Sequence, residues 1–155
     1  MGAIDRTLEQ LGILLPPPAR PVASYVSFVR TGNVVIVSGQ LPSRDGKLIF
    51  AGRVPQAVSP DDAKEAAKLA AINALAALKE ACSGDLDKVA RIVRLGVFVQ
   101  SADDFYAQPA VANGASDLMA AVFGDKGKHA RAAVGVNTLP LNATVEVELM
   151  AELSA

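Results

Sequence analysis

The chain has 155 residues, 51% of them hydrophobic and 20% charged, and its 15 basic and 16 acidic side chains leave a net charge of −1. That length fits a single domain, residues 1–155, with a sizeable core, and the balanced charge supplies no basic face for DNA or RNA. One cysteine, Cys82, excludes an intrachain disulfide and a cysteine-based metal cluster.

The first residues lack the basic and apolar regions of a secretory signal and the serine or threonine of a myristoylation signal. No apolar run approaches the roughly 20 residues of a membrane span, so a cytoplasmic protein without a membrane partner is expected. Ile4, Leu8 and Leu11 recur at helical spacing and predict a short amphipathic helix over 3–11. Gly12 ends it, and Pro16, Pro17 and Pro18 forbid its continuation. Residues 1–19 thus read as a helix and a proline-rich connector ahead of a core at 20–151.

Two β-rich runs, 24–29 and 34–38, flank Arg30-Thr31-Gly32-Asn33 and predict a hairpin. The second leads into Ser38 and Gly39, small residues that leave backbone accessible. A turn at 44–47 precedes a short strand at 48–50. Residues 60–82 carry the strongest helix signal. Ser59 caps it, Pro60 suits the first position, Asp61 and Asp62 favour the positive end of the dipole, and Gly84 stops it. Its many alanines predict close packing, flat against a sheet.

Residues 89–100 read as a long strand with Val93, Leu95, Val97 and Val99 on one face and Ile92, Gly96 and Phe98 on the other. Apolar residues on both faces require cover on both. Helices supply one layer, and another subunit is expected to supply the second. A second helical segment opens at Asp103-Asp104-Phe105, breaks at Pro109 and resumes through Phe123.

The stretch 129–151 reads as two strands joined by a turn at 137–142, the hairpin around which the chain is organised. In its second strand Val145, Val147 and Leu149 point one way and Glu146, Glu148 and Met150 the other. Arg131 stands among alanines, opposite that strand. A guanidinium holds a carboxylate through a planar two-pronged fork; the alternative is an ion pair with Glu146 or Glu148. Those two glutamates also fit the solvated face of a strand, Tyr25 a strand aromatic and Asn113 a helix polar residue. A serine–histidine–aspartate triad can be composed only through His129, which reads as surface or loop packing. Cys82 reads as a buried small hydrophobe. The sequence contains no metal-ligand set and no phosphate-binding glycine loop.

Three blocks carry a family resemblance. YVSFVRTGNVVIVSGQLP (25–42) resembles the first hairpin of the YjgF-like, or RidA-like, reactive intermediate deaminases. GDLDKVARIVRLGVFVQSADDF (84–105) resembles their central strand and turn, and ARAAVGVNTLPLNATVEVELMA (130–151) their C-terminal signature. The N-terminal helix and the segment before Arg131 are similar to a longer branch of the family. The resemblance implies a chorismate-mutase-like α/β (α+β) fold: a mixed sheet backed by two helices, assembled as a homotrimer around a central barrel, with ligand clefts between subunits and no cofactor.

It also implies roles for single residues. Arg131 matches the arginine that binds a substrate carboxylate, helped by the backbone of Ala133, and Glu146 the glutamate that orients water. Ser38, Gly39, Tyr25 and Asn113 match the remaining ligand-binding positions. The implied activity is hydrolytic deamination of small carboxylate-bearing enamines or imines, such as 2-iminopropanoate, to 2-oxo acids and ammonia. A trimeric sensor of keto or amino acids is the alternative, followed by ribonuclease or translation-inhibitor activity. This chain departs from the family pattern in carrying Ala132 and Ala133 where many deaminases have serine and cysteine. Lys128-His129 also replaces an aromatic–proline pair.

Overall fold

Strand alternation and one alanine-rich helix set the layers of the computed structural model, which describes residues 1–155. In chain order the elements are α1 (Ala3–Gln10), β1 (Phe28–Thr31), β2 (Val34–Gln40), β3 (Ser43–Arg44), β4 (Lys47–Leu48) and α2 (Pro60–Ala81), then β5 (Val89–Gln100), α3 (Gln108–Phe123), β6 (Ala130–Val136) and β7 (Val145–Leu153). Five strands form one mixed sheet in the order β1-β2-β7-β5-β6, while β3 and β4 pair separately. Helices α2 and α3 back the sheet. No helix is long and apolar enough to cross a membrane.

Helix α2 begins where its chemistry says it should. The Ser59 hydroxyl accepts from the Asp62 amide at 3.1 Å, and Pro60 occupies the first turn. Ala63, Ala66, Ala67, Ala70, Ala71, Ala74 and Ala77 are all buried. Side chains this short let the helix lie close to both the sheet and α3. Gly114 on α3 takes this furthest, since a Cβ there would collide with the Lys64 carbonyl of α2. Leu75, Leu78, Ile92 and Leu95 fill the space between the layers, each contributing about 1.5–3 kcal/mol by leaving water. Cys82 is buried beside them, and burial raises its thiol pKa. That keeps it a thiol.

The N-terminal helix packs against the rest of the chain. Asp87 accepts from the first free amides of α1, Ala3 at 2.7 Å and Ile4 at 2.8 Å. Those two hydrogen bonds hold the Asp87 carboxyl below the usual carboxylate range. Lys79 bridges to Asp5 at 2.8 Å, and Leu8 enters the core.

The chain differs from the sequence reading at five places. First, the stretch 129–151 is no hairpin. β6 pairs parallel with β5, β7 pairs antiparallel with the other edge of β5, and β6 and β7 never touch as strands. Parallel strands need a crossover, which α3 provides; once β6 holds one edge of β5, only the other remains for β7. Second, β5 does not alternate strictly. A β-bulge between Ile92 and Arg94 turns Ile92 to the same covered side as Leu95, and both are fully buried. Third, Pro109 starts α3 rather than breaking it, because the first turn needs no proline N–H. Fourth, β1 begins at Phe28, so Tyr25 lies in an irregular segment before the strand. Fifth, the strand expected at 48–50 shrinks to the two-residue ladder of β3 and β4.

Candidate functional site

The residues singled out in the sequence gather into two groups on opposite faces of the sheet. Arg131 sits at the start of β6, an edge strand, in register with Leu95 of β5. Leu95 faces the helices, so Arg131 does too. Its Nη1 donates to Asn113 Oδ1 at 2.8 Å and to Ser116 Oγ at 3.2 Å, both on α3. Asn113 and Ser116 are three residues apart, which places them on one helix face. Nε and Nη2 make no hydrogen bond within the chain. One prong of the guanidinium is pinned, and the side-on edge that grips a carboxylate stays free. Ala133, two residues on, shares this side and packs against the core.

Glu146 lies on β7 opposite Phe98 of β5, on the face that no helix covers. It is half-buried and makes no hydrogen bond within the chain. Burial, with a smaller contribution from the nearby charge of Glu148, raises its pKa above the ordinary 4.5. Gly39 of β2 makes room for it: a Cβ at position 39 would overlap the Glu146 carboxylate. Next to Gly39, the Ser38 hydroxyl donates to the Val26 carbonyl at 2.6 Å and thereby ties down the segment that carries Tyr25. Tyr25 is exposed and, with Gly39 and Gln40, lines an open groove of about 1220 Å³ between the proline run and α2.

The structure therefore joins Arg131 to Asn113, with Ala133 on the same side, and sets Glu146 against Gly39, with Ser38 next in the strand and tied to the segment that carries Tyr25. It does not join the two groups within one chain. Nor does Arg131 form the alternative ion pair. Glu148 is taken by Arg94 at 2.9 Å, with Gly96 clearing the space for that pair. Around it the uncovered face presents Val29 (52% exposed), Ile36 (44%) and Val134 (43%). An apolar patch with a charged centre is unusual for a surface meeting only water.

Sequence reasoning missed Ser116 and set His129 aside. The imidazole is half-buried, with Nε2 2.8 Å from Ser116 Oγ and Nδ1 2.6 Å from the Gly127 carbonyl. The available signal was spacing. His129 and Arg131 are two apart on an extended chain, hence on one side, and face the Asn113–Ser116 side of α3.

A five-stranded mixed sheet with α2 and α3 on one face is the α+β, chorismate-mutase-like class of fold. Within that class the chain belongs to the YjgF/RidA-like family: a profile described as "YjgF/chorismate_mutase-like, putative endoribonuclease" matches residues 5–153. The chain is 44% identical to the protein TCP17 of Trypanosoma cruzi, over 99% of this chain and 96% of that protein. It is 29% identical to a 2-iminobutanoate/2-iminopropanoate deaminase of Dermatophagoides farinae, over 88% and 91% respectively. The crystal structure of Atu1372, a protein of unknown function from Agrobacterium tumefaciens, superimposes with a TM-score of 0.92 at 45% identity, covering 97% of this chain and 92% of the other.

Proposed function

We propose that the protein is a homotrimeric deaminase that hydrolyses small carboxylate-bearing imines or enamines to 2-oxo acids and ammonia. The observation that carries this reading is Arg131, pinned through Nη1 with its carboxylate-gripping edge free. The relative named as an iminobutanoate deaminase supplies the reaction class. The apolar uncovered face supports assembly, and the separation of the two groups gives assembly a purpose. Packing the β6–α3 corner of one subunit against the β2–β7 face of the next would complete a cleft.

In that cleft Arg131 holds the substrate carboxylate, with the backbone of Ala133 and Gly39 orienting the rest. Glu146, desolvated and unpaired, takes a proton from the attacking water and returns it to the leaving nitrogen. Water adds to the imine carbon, the C–N bond breaks, and ammonia leaves. Imines hydrolyse spontaneously in water, so positioning and one proton carrier suffice.

The test is release of ammonia and 2-oxo acid from freshly generated 2-iminopropanoate and bulkier imino acids, with sedimentation confirming assembly. Acceleration by the wild type, lost in Arg131→Ala, is the expected result. An assembled trimer that accelerates none of these imines overturns the reading, and titration with keto acids then tests a sensor.

A further inference from the structure

We propose that Ser116 is an activated nucleophile with His129 as its base, giving the β6–α3 corner an acyl-transfer activity on short esters or thioesters that carry a free carboxylate. This goes beyond imine hydrolysis and does not depend on it.

The hydrogen-bond roles follow from chemistry. The Gly127 carbonyl can only accept, so Nδ1 of the neutral imidazole carries the proton. Nε2 is then an acceptor, and at 2.8 Å it receives the Ser116 hydroxyl proton. A nucleophile hydrogen-bonded to a base, whose other nitrogen is held by a third group, is the arrangement that activates serine. The third group here is a backbone carbonyl, which fixes the tautomer as a carboxylate would. The guanidinium of Arg131, 3.2 Å from Oγ, favours the developing alkoxide.

Two further groups complete the requirements. Asn113 Oδ1 accepts from Arg131, which turns its amide to leave Nδ2 with free donors on the same helix face, one turn from Ser116. Those donors suit a tetrahedral oxyanion. The free edge of Arg131 selects a substrate with a carboxylate, so a short half-ester of a dicarboxylic acid fits better than a neutral ester. Ser116 Oγ attacks the acyl carbon as its proton passes to His129 Nε2. The tetrahedral intermediate collapses, the ester C–O bond breaks, and the alcohol leaves with that proton. Water, deprotonated by His129, then releases the acid and restores the serine.

The test uses the full chain with 4-nitrophenyl hemisuccinate, 4-nitrophenyl acetate and a fluorophosphonate probe. Expected are an adduct on the peptide containing Ser116, nitrophenolate release abolished in Ser116→Ala, and a rate reduced about 10²-fold in His129→Gln. Hemisuccinate should be preferred over acetate about tenfold, a preference lost in Arg131→Gln. Should Ser116→Ala not fold, Ser116→Cys replaces it. Its thiol should react with iodoacetamide faster than the same thiol in the Ser116→Cys, His129→Gln double variant, against a low background from buried Cys82. No adduct at Ser116, hydrolysis unchanged in a folded Ser116→Ala, or a cysteine indifferent to His129 each overturns the proposal. None of these readouts uses an imine, so their failure and the failure of imine turnover are separate results.

Discussion

At the β6–α3 corner the charged group is tied down: Arg131 has two side-chain acceptors on a helix, and one of those is itself held by His129. On the β2–β7 face the charged group is left open, since Glu146 has no hydrogen-bond partner in its chain, Gly39 beside it only yields space, and the nearby Glu148 carries the same charge. A buried polar group without a partner is destabilising unless something else completes it. On the proposed function, the first region holds its cation ready for a ligand carboxylate, and the second awaits completion by a partner subunit or substrate. On the proposed assembly, each supplies what the other lacks.

The largest effect expected from breaking this pairing is at the arginine. Arg131→Lys keeps the charge but removes the fork, and kcat/KM for imino acids should fall about 10²- to 10³-fold; near-wild-type turnover by the lysine variant would reduce the anchor to a point charge. Glu146→Gln comes next, with turnover reduced about 10²-fold. Glu146 must be ionised to act as base and its pKa is raised above 4.5, so wild-type turnover should decline as pH falls through a value above 4.5. The glutamine variant should lose that limb. The same shift sets the sign for stability. A raised folded-state value means that ionised Glu146 destabilises the fold at neutral pH, so Glu146→Gln should raise Tm there. That gain should fade as pH drops to the ordinary 4.5.

Mixing sharpens the comparison itself. Subunits carrying Arg131→Ala and subunits carrying Glu146→Gln, each strongly impaired alone, should regain about a quarter of wild-type turnover after random reassembly into trimers, because one interface in four pairs an intact arginine with an intact glutamate. No regain from well-mixed trimers would place the two groups in separate sites. The smallest effect is at Gly39→Ala. The added methyl meets the far end of the half-buried, unpaired Glu146 side chain, which can swing aside, so the cost should stay near the low end, about 1 kcal/mol. Melting should register a drop of roughly 2–4 °C for each kcal/mol, and turnover should fall with the displaced base.

Some of this architecture was legible in the residues alone. Helix α2 was readable because its cap, first-turn proline and stop are local signals, and β5 and β7 because their composition and patterning are local too. The faces of β7 followed directly, with Val145, Val147 and Leu149 inside and Glu146 and Glu148 half-exposed. Arg131 was singled out by its chemistry and Asn113 by resemblance, and the fold then brought them within 2.8 Å. The pairing of strands was another matter. Two strands close in sequence looked like a hairpin, yet β5, some forty residues earlier, lies between them.

The sequence by itself thus determined the long helix α2, the strands β5 and β7, the two-sided chemistry of β7 and the family. Only the tertiary structure decided that Arg131 and Glu146 look away from each other, that Arg94 rather than Arg131 takes Glu148, and that His129 reaches Ser116. The physical reason is that periodicity records which way a side chain points within its own element. Which elements become neighbours depends on crossovers, edges and bulges, contacts made between residues far apart in the chain.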